Sequence, residues 1–344
     1  MLKKIRLVIT VLAMCVFVNV QAQDIHFSQF YESTILRNPS LIGLFEGAYK
    51  ISTLNKSQWQ SISKPYQTNL VNTEIRVPIN KSAEDVISFG LTFFSDKAGT
   101  AQLKTQAVYP CINYSKSLGG FHNEYISLGF TVGFMQRNFD ISKLTFNEQY
   151  FNSAFSSSNA NGENITNTNS SQMDVGVGLN YSRSFGYENG SSFYLGAAAY
   201  HLNQPKSNFG NTDLTLPMRF NINMGWASAI GEFWNMQLLT NACMQGAYIE
   251  STSGLLFNYR TVDKDYNTEF ILQLGTLYRL QDAIIPTFKC VYRSYQLGLS
   301  YDINISSLRV ASNRRGGLEC SLAILGVFRD ANRRSSKTIC PHFY

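Results

Sequence analysis

The chain has 344 residues, of which 44% are hydrophobic, 13% are aromatic and only 15% are charged. An ordinary water-soluble domain carries nearer a quarter of charged residues, so little of this chain is built to face bulk water. The formal charge of +6 falls to about +3 once Lys3, Lys4 and Arg6 are set aside as a leader, and no dense basic patch with interleaved aromatics exists, which excludes a nucleic-acid partner.

Residues 1–22 read as a secretory signal peptide. Lys3, Lys4 and Arg6 form a basic start, Leu7 to Val18 form an apolar stretch too short for a membrane anchor, and cleavage is expected near Ala22. Residues 23–46 do not look like a strand. The stretch ends in Asn38-Pro39 and Gly43, which are turn formers, and a short helix and turn plugging one mouth of a barrel are expected here. Gln29, Phe30, Asn38, Pro39 and Gly43 are its candidate plug or partner contacts.

From residue 47 to 328 the pattern has a period of two. In residues 87–93 Ile87, Phe89, Leu91 and Phe93 alternate with Ser88, Gly90 and Thr92. In 126–134 Ile126, Leu128, Phe130, Val132 and Phe134 alternate with Ser, Gly and Thr. In 173–181 Met173, Val175, Val177, Leu179 and Tyr181 oppose Asp174, Gly176, Gly178 and Asn180. Phe193 to Ala199, Phe220 to Trp226 and Phe270 to Tyr278 repeat the arrangement. Such alternation is the mark of strands with one apolar face. Weaker candidates at 47–57, 66–78, 101–114, 233–245, 253–261, 283–292, 294–302 and 317–328 bring the total to about 14, an even number suited to an up-and-down barrel. Pro286 weakens one candidate, which leaves 12 strands open.

The polar parity is rich in Gly, Ser, Thr and Asn and poor in Lys and Glu. A soluble sandwich would show the reverse, so the small polar face is read as a lumen and the apolar face as lipid-facing. Tyr125, Phe134, Tyr181, Tyr200, Tyr278 and Tyr301 lie near strand ends and resemble interfacial girdles. Long Asn- and Ser-rich loops at 144–172 and 201–217 are expected on one side of the membrane and short Gly-containing turns on the other. Asp174, Arg219, Arg260, Arg279, Asp302 and Glu319 fall on the lumen parity, as a candidate charge network closing the barrel or clamping a partner. The tail, residues 329–344, is basic and then aromatic.

The sequence carries no recognisable catalytic or metal-binding pattern. His26, His122, His201 and His342 have no second ligand at metal spacing, and no nucleophile elbow or phosphate loop occurs, so no enzyme and no cofactor are expected. His26 and His201 are read as structural hydrogen bonders. Five cysteines follow the leader without a Cys-x-x-Cys pair, so no redox pair is indicated.

Several ordered segments carry a resemblance. "QDIHFSQFYESTILRNPSLIGLFEGAYK", "FYLGAAAYHLNQP", "YRLQDAIIPTFKCVY", "LGLSYDINISSLRVAS", "GGLECSLAIL" and the closing "CPHF" resemble the PorP/SprF family of type IX secretion system membrane proteins. The resemblance spans Gln23 to Phe343 and implies an outer-membrane barrel in a Bacteroidota-like bacterium that works in protein secretion or gliding motility. Its implied partners are outer-membrane lipid and either the C-terminal domain of a secreted protein or adhesin or a periplasmic machinery component. The chain departs from the family at Ser40, where Ala is common, and in the tail motif Cys340, Pro341, His342 and Phe343, where Arg is common in place of His342. The alternative reading of the residues is an outer-membrane transporter or channel for a small solute.

Overall fold

The structure is a computed structural model. It describes residues 24–328, apart from 59–64, 81–83, 120–123, 152–153, 164–166, 186–189, 210–211, 263–267 and 308. The leader and the tail with Cys340, Pro341, His342 and Phe343 lie outside the described residues.

Fourteen antiparallel strands close into one barrel. They are β1 (Tyr49–Gln58), β2 (Tyr66–Asn80), β3 (Asp85–Ala98), β4 (Leu103–Ser117), β5 (Glu124–Asn138), β6 (Asn169–Phe185), β7 (Ser191–Tyr200), β8 (Arg219–Ala229), β9 (Trp234–Gln245), β10 (Tyr248–Val262), β11 (Thr268–Arg279), β12 (Ala283–Tyr292), β13 (Tyr295–Asn304) and β14 (Arg315–Gly326). Each strand pairs with its sequence neighbours, and β1 pairs with β14 from Tyr49↔Gly326 to Gln58↔Gly317, so no strand edge is left open. Pro286 does not break β12. It points outward opposite Thr276 of β11, and the ladder to β13 skips Ile285 and Pro286, where the ring nitrogen has no hydrogen to donate.

The alternation sorts the two faces. Leu128, Phe130, Leu179, Leu195, Ile222, Leu274 and Leu322 are exposed on the outside, while Ser127, Thr131, Asn180, Asn223, Gln273 and Ser321 are buried inside. Outward charges, such as Lys97, Lys104, Lys116 and Glu124, are confined to strand ends. An outward belt without charge meets hydrocarbon at no desolvation cost, whereas one Arg or Lys at mid-height would cost about 2–4 kcal/mol.

The expected girdle needs correction at two positions. Tyr125 and Tyr200 stand on the inward parity and are buried in the lumen, whereas Phe134, Tyr278 and Tyr301 are exposed outside. Proximity to a strand end does not fix which way a side chain points; parity does.

The two mouths differ. At the near mouth, where the chain enters β1, connections are short, at 118–123, 186–190, 230–233 and 293–294. At the far mouth lie 139–168, 201–218 and 305–314. The two longest loops are not featureless: each holds a two-stranded ribbon, Tyr150–Phe151 with Ala154–Phe155 and Lys206–Phe209 with Thr212–Thr215.

Candidate functional site

The lumen is filled by residues 24–45. They do not merely cap the near mouth: the segment starts beside far-mouth residues and runs the length of the barrel to β1. It contains two single 3-10 turns, Phe30–Glu32 and Pro39–Leu41, around one α-helical turn, Thr34–Arg37. Short turns suit a chain that must bend to keep contact with the wall on all sides.

Asp24 is the far-mouth anchor. His201 Nε2 lies 2.7 Å from its carboxylate, and Arg219 Nη1 donates to the same oxygen at 2.9 Å. His201 sits at the corner after β7 with φ +58, which turns its ring into the lumen, and its Nδ1 lies 2.9 Å from Asp174. Burial works against charge on both partners. On Asp24 the opposing pull of His201 and Arg219 wins and holds the carboxyl well below its usual range; on His201 the pull of Asp24 and Asp174 wins and raises the imidazole above its ordinary value. Tyr109 donates to Asp174 at 2.9 Å, and Arg219 also donates to the Leu36 carbonyl at 2.6 Å while its guanidinium lies over the Tyr200 ring.

One turn further in, Glu319 of β14 receives two successive plug amides, from Ser28 at 2.7 Å and Gln29 at 2.8 Å, with Lys56 of β1 at 3.5 Å. Two N–H groups on one carboxylate fix the backbone and supply the hydrogen bonds that the buried charge has lost from water. Arg279 donates to the Ser28 hydroxyl at 2.6 Å and to Asp302 at 3.0 Å. Gln29 accepts from Ser321 and donates to Ser300. Phe30 packs on Leu239, Leu256, Leu277, Ala283 and Ile285.

At mid-plug, Glu32 is held between Lys50 of β1 and Lys289 of β12, each donating at 2.8 Å. Further along the chain comes the Asn38-Pro39 turn. Asn38 Oδ1 accepts from the Ser40 amide at 2.9 Å and its hydroxyl at 2.6 Å, an Asx turn that caps the following 3-10 turn. This turn lies on a floor of glycines. A Cβ at Gly129 of β5 would overlap the Pro39–Ser40 peptide, one at Gly178 of β6 would overlap the Asn38 carboxamide, and one at Gly196 of β7 would stand 2.7 Å from Asn38 Nδ2. Gly129 and Gly178 are direct cross-strand partners, so the floor is one flat patch. Gly43, with φ +82, then turns the chain toward β1 and donates its amide to Glu74 at 2.9 Å.

Of the residues singled out in the sequence, Gln29, Phe30, Asn38, Pro39 and Gly43 therefore stand against the barrel wall, and Asp174, Arg219, Arg279, Asp302 and Glu319 stand around the plug. Arg260 does not join them; it is exposed at the near-mouth end of β10 and donates to the Glu232 carbonyl. The sequence reading passed over Asp24, Glu32, Lys50, Lys56, Lys289 and the three floor glycines. A charge at the inward parity of a spanning strand is the signal that would have found the three lysines. Among the described residues no group of His, Cys, Asp and Glu could hold a metal, and Cys111, Cys243, Cys290 and Cys320 are free thiols.

A closed, uncharged-belted barrel whose lumen is packed with its own N-terminal segment defines a plugged membrane barrel of the outer-membrane type. The chain belongs to the PorP/SprF family, described as type IX secretion system membrane protein PorP/SprF, whose profile matches residues 19–323. No curated protein matches the chain. Among solved structures, the toluene transporter TbuX of Ralstonia pickettii is similar at 9% identity over 85% of this chain and 92% of that one, with a TM-score of 0.49. A FadL homologue of Pseudomonas aeruginosa shows 10% identity over 85% and 90%, with a TM-score of 0.46. The translocator domain of autotransporter NalP from Neisseria meningitidis shows 6% over 86% and 93%, with a TM-score of 0.42. Likeness at this level carries no argument about function, and the fold stands on the strand order itself.

Proposed function

We propose that this chain is a non-catalytic docking barrel of the type IX secretion machinery, set in the outer membrane with the near mouth toward the periplasm. Short turns at one mouth and long loops at the other support that orientation. Its partner is the C-terminal domain of a secreted protein, a periplasmic component of the machinery, or both. The observation that carries this reading is the filled lumen: the inward charges Lys50, Arg279, Lys289 and Glu319 are engaged with the plug rather than lining an open path. A solute path needs groups free to exchange partners, whereas a docking body needs a rigid one. Docking therefore falls to the loops and the two vestibules, since the sheet has no open edge. At the far mouth a cavity of about 830 Å³ opens beside Asp24, His26, Tyr66 and Arg137.

The test is affinity purification of the tagged, membrane-extracted chain from its own host. Capture of a secreted adhesin or a periplasmic machinery protein is the expected result. If none is captured, and liposomes bearing the chain take up a small solute, the transporter reading replaces this one.

A further inference from the structure

A second cavity, of about 430 Å³, opens at the near mouth between the plug and β9 to β13, and is lined by Arg37, Gln237, Gln273, Leu256, Ile271 and Val291 among others. Its volume lies within the range of small-ligand sites, roughly 300–1,000 Å³.

Arg37 is the unusual member. It is 7% exposed, yet among the described residues no carboxylate comes within ion-pair distance of it. Its Nη1 donates to the Tyr194 hydroxyl at 3.1 Å, its guanidinium lies over the Phe30 and Tyr194 rings, and its Nε has no partner. Every other strongly buried cation of the plug region, Lys56, Arg219, Arg279 and Lys289, has a carboxylate. A buried guanidinium without a counter-charge is costly, and an anion supplied from outside removes that cost.

The rest of the wall narrows the chemistry. Glu32 is taken by two lysines, and Glu74 accepts from the Gly43 amide and from Asn72. Arg37, Lys50, Lys289 and Arg293 against Glu32, Glu46 and Glu74 leave one positive charge in excess on the wall, so the fitting anion is singly charged. Gln273 Nε2 donates to Asn258 Oδ1 at 2.7 Å and to Gln237 Oε1 at 3.4 Å, so the two glutamines stand side by side as a pair that leaves the Gln237 Nε2 donor and the Gln273 Oε1 acceptor without a partner. One donor and one acceptor match the C=O and N–H of a peptide group. Leu256, Ile271 and Val291 offer an apolar wall to a side chain. The chain's own segment 329–337, with Arg329, Arg333, Arg334 and Lys337 against Asp330, is a poor occupant for a site already in positive excess.

We infer that this cavity receives the carboxylate-bearing end of a polypeptide with an apolar last residue, its carboxylate on Arg37 and its last peptide group against the Gln237–Gln273 pair. The inference rests on the docking reading above and names the place where a partner's terminus enters.

The probe is a panel of dye-labelled tripeptides, Val-Leu-Val, Val-Leu-Phe and Val-Leu-Lys, each as free acid and as C-terminal amide, titrated by fluorescence anisotropy into the full chain in detergent. Saturable binding of an apolar-ended acid is expected, at least tenfold weaker for its amide and for the Arg37→Gln chain, and weaker for Gln237→Leu, which leaves every plug hydrogen bond of Arg37 in place. The heat-induced shift in gel mobility verifies that each variant is a folded barrel. Equal binding of acid and amide, unchanged binding by both variants, no binding across the panel, or binding of decanoate in place of the peptides would each overturn the inference. A chain that captures a secreted protein yet ignores the panel sinks this site and leaves the docking function standing.

Discussion

Replacing Glu32 by Gln removes the carboxylate that, alone among the described residues, lies within hydrogen-bonding distance of both Lys50 and Lys289. Both ammonium groups contact it at 2.8 Å, and their side chains are 12% and 4% exposed. The substitution keeps the shape and the hydrogen-bonding reach but leaves two buried cations facing a neutral amide. Breaking one buried pair costs about 3–5 kcal/mol. At about 1.4 kcal/mol per decade, this shifts the equilibrium between docked and released plug by at least two orders of magnitude. The strands do not depend on Glu32, so the barrel itself is expected to survive. The measurement is single-channel current in a planar bilayer, paired with protease cleavage of residues 24–45. The wild-type chain is expected to be closed and resistant; E32Q is expected to show long open events and cleavage within the plug. The double variant E32Q/K289Q, which removes one stranded cation, is expected to close in part. If E32Q matches the wild type in current and in cleavage, the ion pairs do not hold the plug and the argument fails.

The glycine floor makes a steric prediction: Gly129→Ala presses a methyl group into the Pro39–Ser40 peptide, and overpacking of this kind costs about 1–3 kcal/mol. It is expected to lower the temperature of the gel-mobility shift, and an unchanged temperature would show that the turn does not sit there. The Asp24–His201 pair gives a pH window. The raised imidazole contributes fully below its unfolded value near about 6.5 and is lost as pH rises through its folded value, while the depressed Asp24 contributes above about 4 and is lost as pH falls through its folded value. Labelling of an Ile25→Cys chain, its native cysteines replaced by Ser or Ala and its rate divided by that of free cysteine at the same pH to remove thiol ionisation, is therefore expected to be slow at pH 6 and faster at pH 9, with His201→Gln removing the difference; a flat normalised profile in the parent would exclude the anchor. On the outer face, Leu128→Arg places a charge at mid-height of β5 and is expected to cost about 2–4 kcal/mol. Loss of folded chain from the membrane fraction reads it out, and normal accumulation would show that Leu128 does not face lipid.

The strand count and the two faces were legible in the sequence because both are local: a period of two is set within each ten-residue stretch, and the side chain's direction follows from its parity. That is why Leu179 and Ile222 could be assigned to the outside and Asn180 and Asn221 to the inside without knowing any neighbour. Where parity was set aside for nearness to a strand end, as with Tyr125 and Tyr200, the direction came out wrong. The plug's path and its partners were decided only by the closed barrel. Asp24 meets Arg219, Ser28 meets Glu319 and Glu32 meets Lys289 across separations of 195, 291 and 257 residues. No periodicity encodes such contacts. They exist because β1 pairs with β14 and thereby brings the two ends of the chain around one lumen, where a buried charge must find its opposite or remain, like Arg37, without one.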